Sequence, residues 1–115
     1  MVTLDDIRTV ALSLPRTEEA LVRDQVKFRV GRIVYVALSR DELWMGFGFP
    51  KEERAALVAA DAEKFFLPIP SDLHYNWVRV WLQAIDQTEM RELVVDAWRM
   101  VVPKRGAAEY LGDHP

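Results

Sequence analysis

Apolar positions alternate without a break from residue 77 to 83, where the chain reads Trp77-Val78-Arg79-Val80-Trp81-Leu82-Gln83. A strand sends successive side chains to opposite faces, so Val78, Val80 and Leu82 are predicted to face a core. Trp77, Arg79 and Trp81 then point the other way. Two large rings flanking a cation are costly to leave in water, so this face should be covered or have a partner.

The other periodic segments fall on either side of this strand. Thr3 and Asp6 have the spacing of a helix capping box, and Leu4, Ile7, Val10, Ala11 and Leu14 form the apolar stripe of a first helix ended by Pro15. Residues 26 to 30 alternate as Val26-Lys27-Phe28-Arg29-Val30, and Gly31-Arg32 leads into a second run, Ile33 to Leu38, which predicts a hairpin. Leu43 to Phe47 predicts a third strand, with Leu43, Met45 and Phe47 on one side and Trp44 on the other. Pro50 suits the first position of a short helix to about Ala60, with Glu52 and Glu53 in its first turn. Pro68, Pro70, Ser71 and Asn76 mark residues 65 to 76 as a loop. After the Trp77 strand, Asp86 and Glu89 form a second capping-box pattern. Met90, Leu93, Val94, Ala97, Trp98, Val101 and Val102 then keep helical spacing up to Pro103.

The predicted order is α-β-β-β-α-β-α. Strands joined by short turns are antiparallel, and helices with one apolar stripe cover one sheet face. The expected fold is therefore an α+β two-layer sandwich, an antiparallel sheet of about four to five strands with helices on one side. Its 115 residues predict one domain, 1–115, with no linker or internal repeat.

Composition narrows the class. Half of the residues are hydrophobic and 29% are charged, as in folded soluble domains, and no cysteine is present for a disulfide framework. Residues 1 to 20 hold Asp5, Asp6, Glu18 and Glu19 and no secretory apolar stretch, and no run reaches membrane-span length. A cytoplasmic address and no membrane association are expected. The net charge of −3 argues against a uniformly basic phosphate binder, but the charge is uneven. Residues 23 to 40 hold Arg23, Lys27, Arg29, Arg32 and Arg40 against Asp24 alone; this stretch is +4 and the remainder −7.

The chain resembles the MmcQ/YjbR family of small bacterial domains over nearly its whole length. The resemblance rests on Leu14-Pro15 at the end of the first helix, Phe28-Arg29-Val30-Gly31, Glu52-Glu53-Arg54 and His74-Tyr75-Asn76-Trp77-Val78. Most specific is Asp96-Ala97-Trp98-Arg99 leading to Val102-Pro103-Lys104-Arg105. It implies a frataxin-like (CyaY-like) sandwich and a DNA-binding role. Two departures bear on turn geometry. Arg16 stands where the family often has glycine, and Val22-Arg23-Asp24-Gln25 replaces a glycine-containing stretch before the Phe28 strand.

Signatures of catalysis are sparse. There is no thiol, and no serine sits in a Gly-x-Ser-x-Gly elbow. Gly46-Phe47-Gly48 starts like a phosphate loop but continues into Phe49-Pro50, and reads better as a strand end that turns sharply. His74 and His114 are the only histidines. His74 lacks a partner at metal-ligand spacing and is expected to anchor its loop. The frataxin-like resemblance raises iron binding on an acidic first helix, but Asp5 and Asp6 are explained as first-turn charges. No metal, cofactor or enzymatic activity is expected.

The candidate surface combines Arg23, Lys27, Arg29, Arg32 and Arg79 as phosphate-neutralising cations with Trp44, Trp77 and Trp81 as stacking or packing surface. Lys104 and Arg105 add to a rim, although cations at a helix C-terminus are also explained by the dipole. Non-enzymatic binding of nucleic acid, DNA on the strength of the resemblance, is the leading reading. The alternatives are a cation–π ladder that seals the sheet, a loop laid over the rings, or a protein-interaction or homodimer face. The expected state is a monomer or weak homodimer.

Overall fold

A computed structural model describes residues 1–104. Helix α1 (Leu4–Ser13) is followed by strands β1 (Thr17–Val22), β2 (Gln25–Val30), β3 (Ile33–Leu38) and β4 (Trp44–Gly48). Helix α2 (Arg54–Ala60), strands β5 (Phe65–Phe66) and β6 (Trp77–Trp81), and helix α3 (Gln87–Val101) complete it. All strand pairs are antiparallel, in the spatial order β1-β2-β3-β4-β6-β5. Helix α3 packs on β3 and β4, and α1 packs on α3 and β1. The fold is an α+β sandwich with one sheet face open. Among the described residues, no helix is long and apolar enough to cross a membrane.

Both long helices follow their sequence signals. Thr3 and Asp6 form the complete reciprocal box at α1. At α3 only half of the expected box is made: Asp86 Oδ1 accepts from the Glu89 amide at 2.8 Å, while the Glu89 carboxylate instead accepts from Lys64 Nζ at 3.1 Å. This ion pair ties the loop before β5 to the first turn of α3. Trp98 is fully buried, and its Nε1 donates to the Pro15 carbonyl at 2.9 Å, joining the two helices' ends. Val78, Val80 and Leu82 are buried as the alternation predicts.

The sheet has six strands, not four or five. Strand β1 went unpredicted because Thr17-Glu18-Glu19-Ala20-Leu21-Val22 alternates poorly and lies at an edge, where neither face is fully buried. It is joined to β2 by Arg23-Asp24, both at positive φ (51° and 65°), which is the geometry of a type I′ hairpin turn built without glycine or asparagine. The two-residue β5 lies inside the segment expected to be loop and pairs with β6.

Further boundaries shift. Leu43 is half exposed and precedes β4, whereas Met45 and Phe47 are buried as expected. Helix α2 starts at Arg54, after a turn at residues 51–53, so Glu52 and Glu53 precede the helix rather than fill its first turn. Gly48 ends β4 as expected of this stretch, but Gly46 lies within the strand and the turn follows only at residues 51–53. In β3 the register shifts opposite Phe28/Arg29, a bulge that lets Tyr35 and Val36 both reach the core.

Candidate nucleic-acid interface

The strand registers place one row of residues across the open face. Ala20 pairs with Lys27, Lys27 with Ala37, Ala37 with Gly46, Gly46 with Arg79, and Arg79 with Phe66. Paired residues share a face, so two cations stand on either side of the two smallest side chains of the row. The middle of the sheet is therefore a shallow trough, filled over Gly46 by the Trp77 indole. Strand spacing of about 4.8 Å puts the Lys27 and Arg79 backbones about 14 Å apart across it.

Gly46 also accommodates Trp77. A Cβ at Gly46 would come within 2.6 Å of Trp77 Cε2 and Cζ2 and closer still to Nε1, so the indole occupies the space left by the missing side chain. Trp44 enters β4 from a built turn. Buried Ser39 Oγ donates to Asp41 Oδ1 at 2.7 Å and accepts from the Leu43 and Trp44 amides, each at 3.1 Å. The Asp41 carboxyl is held below its ordinary pKa, chiefly by the Ser39 hydroxyl and then by the Leu43 amide.

Around Arg79 the rings form a cluster. The guanidinium carbon lies 4.2 Å from the Trp44 ring centroid and 6.0 Å from that of Phe66. Phe66 stacks on Trp81 at 4.6 Å and meets Trp44 edge-on at 6.0 Å. Arg79 Nε is inaccessible to solvent and has no hydrogen-bond partner among the described residues. Burial lowers the Arg79 pKa while the charge of Asp72 raises it. A guanidinium remains charged at neutral pH regardless.

A groove of about 1040 Å³ is lined by residues of this face and also by Met100 and Val101 at the end of α3. Its lining includes Arg23, Lys27, Arg32 and Arg79 with Trp44 and Trp77, and Asp72 is its one carboxylate among the described residues. Arg23, Lys27 and Arg32 form no ion pair among the described residues. Arg23 and Arg32 occupy the turns at the two ends of β2, with Lys27 between them on the strand.

The remaining candidates lie elsewhere. Arg29 points to Glu18 on β1, Nε to Oε2 3.7 Å, and does not line the groove. Trp81 is 36% exposed against Phe66, outside the groove. Lys104 is exposed past α3 and also outside it. Arg105 lies beyond the described residues, as does His114.

One end of the groove is closed by residues 69–76, whose backbone is clamped from α2. Arg54 Nη1 donates to the Tyr75 carbonyl at 2.9 Å and to that of Trp77 at 3.4 Å, and Arg54 Nη2 donates to the Leu73 carbonyl. The Lys51 amide donates to Asn76 Oδ1 at 3.0 Å. His74 joins this clamp through its carbonyl, which accepts from Lys51 Nζ at 3.3 Å, while its ring leans on Tyr75 at 3.9 Å. Tyr75 is 58% exposed at the rim. No group of three or more potential metal-ligating side chains gathers among the described residues.

Sequence reading missed Phe66, Asp72 and the Ala37-Gly46 floor. The signal for Phe66 was the Phe65-Phe66 pair itself, whose two rings must face opposite ways in a strand.

The YjbR family model matches residues 12–100. The chain belongs to the YjbR family. This YjbR domain is also similar in fold to the crystal structure of Deinococcus radiodurans protein DR2400, described as a DUF419 domain. The TM-score is 0.78 at 22% identity, over 97% of this chain and 89% of that one. A comparison with curated proteins found no match.

Proposed function

We propose that this YjbR domain is a non-enzymatic nucleic-acid-binding module, with DNA as its ligand, and that the open sheet face is the binding surface. The observation that carries the reading is the groove lined by Arg23, Lys27, Arg32 and Arg79, none of them in an ion pair among the described residues. Such cations gather phosphates by releasing condensed counterions. The local excess of positive charge on residues 23 to 40 explains how a chain of net charge −3 can present a basic surface. The MmcQ/YjbR resemblance supports DNA as the ligand.

The test is affinity for DNA at about 50 and 200 mM salt. Lys27→Glu with Arg32→Glu, both on open positions, is expected to weaken binding to all sequences alike and to flatten the salt dependence. Wild-type protein without salt-sensitive binding would exclude the proposal.

A second reading, a protein-interaction or homodimerisation face, is favoured by a different feature. Trp81 and Phe66 form a stacked pair outside the groove, and Leu43 and Leu67, adjoining Trp44 and Phe66 in the chain, are both about half exposed. Part-exposed aromatic pairs of this kind mark protein contacts.

A further inference from the structure

The basic residues of this face differ in access: Arg23 and Arg32 are exposed in turns, Lys27 is half-buried, and Arg79 is recessed. Proteins that read duplex DNA insert a protruding helix or ribbon into a groove about 12 Å wide, or reach out to the two backbones that flank it. Here Arg79 stands on a central strand with its Nε covered, and the floor beside it is Ala37 and Gly46 overlain by Trp77. A duplex cannot lay the face of a base on that floor without unpairing. A single strand can.

The arrangement has the two components that single-strand binding requires, a cationic track and flat groups on which bases stack. Arg23, Lys27 and Arg32 supply the track along β2, with Lys27 on the strand and the two arginines in the turns at its ends. Across the trough, the guanidinium of Arg79 lies over Trp44 at 4.2 Å. Guanidinium planes stack bases as aromatic rings do, and a guanidinium set over one ring can offer its other plane to a base.

We infer, resting on the nucleic-acid reading above, that the groove takes a single strand, with its phosphates along Arg23, Lys27 and Arg32 and an unstacked base on the Arg79 guanidinium. Trp44 then acts as a positioning residue that holds the guanidinium flat. Asp72, the carboxylate of the lining, offsets part of the charge at the Arg79 side and leaves the β2 side as the phosphate track.

The experiment compares a fluorescein-labelled single strand of about 12 mixed-sequence nucleotides with the same strand annealed to its complement, at about 50 and 200 mM salt. Wild-type protein is expected to bind the single strand tighter by about tenfold or more. Arg79→Lys keeps the charge and removes the plane. It is expected to weaken single-strand binding by about fivefold or more with the salt slope unchanged, its folding checked by thermal melting. Duplex binding as tight as single-strand binding, and salt-sensitive, would overturn the inference while leaving the nucleic-acid reading standing. Absence of salt-sensitive binding to either probe would overturn both. Unchanged affinity in Arg79→Lys would remove the base from the guanidinium.

Discussion

The indole of Trp77 fills the place of the side chain that Gly46 lacks, so that a residue on β6 completes the surface of β4. Pairing explains the contact, since Gly46 stands opposite Arg79, two residues along from Trp77 on the same face. Gly46→Val should therefore expel the indole and destabilise the fold by about 1 to 3 kcal/mol. A denaturant midpoint within about 0.5 kcal/mol of wild type, with unshifted tryptophan emission, would show that Trp77 swings aside at no cost.

Four non-glycine residues, Glu42 (φ 60°) among them, occupy backbone conformations that glycine adopts more readily, and Arg16 and the Arg23-Asp24 pair are also departures from the family pattern. Arg16 has φ 64°, and Arg23 and Asp24 have φ 51° and 65°. Side chains other than Gly, Asn and Asp disfavour this region by about 1 to 2 kcal/mol. Arg16→Gly is expected to stabilise the protein by up to about 1 kcal/mol, less than the relieved strain because the unfolded chain also gains freedom. Chemical denaturation would measure it, and a loss of stability would mean that the Arg16 side chain contributes more than its backbone costs.

How much of this molecule was legible follows from where each signal resides. The Val78-Val80-Leu82 face and the Trp98 stripe were legible because one buried side imposes a period, and both are buried here. Strand β1 was not, since an edge strand carrying Glu18 and Glu19 has no such period. The absence of glycine from its turn also removed the usual hairpin signal. For the site, alternation and the phase of the third strand can put Trp44, Trp77 and Trp81 on one face beside Arg79, with Lys27 and Arg29 as further candidates. That Arg29 would be engaged by Glu18, and that Phe66 would take one face of Trp81, depend on which strands are neighbours. Alternation within a strand carries no information about that order.

Tyr35 offers a pH-dependent test of the bulge that buries it. Its hydroxyl lies 2.8 Å from Thr17 Oγ1, and burial pushes its pKa up to about 12, against a smaller opposing effect of that hydrogen bond. A raised folded-state pKa means that the native protein holds the proton more tightly than the unfolded chain does. Its contribution is thus complete below about pH 10 and is lost as pH rises towards about 12. Stability should fall across that window by up to about 3 kcal/mol. Tyr35→Phe, measured by denaturation at each pH, should remove that part of the alkaline decline; an unchanged profile would assign the decline to other groups.

Trp81 separates the two readings of the open face because it lies outside the groove yet within the exposed aromatic pair. Its ring is stacked on Phe66 and is 36% exposed, so replacing it leaves the cation track of β2 and the Trp44–Arg79 stack in place. If the groove binds nucleic acid, Trp81→Ala should change DNA affinity by less than about twofold and leave its salt slope intact. If the face instead joins two copies of the chain, the truncated ring is a central aromatic anchor. Its loss should then cost about 2 kcal/mol or more of association free energy. Sedimentation of wild type and Trp81→Ala over a range of protein concentrations, beside the DNA titration, distinguishes the outcomes. A dimer in wild type that dissociates in the variant, together with negligible DNA affinity, would replace the nucleic-acid reading with the interaction one.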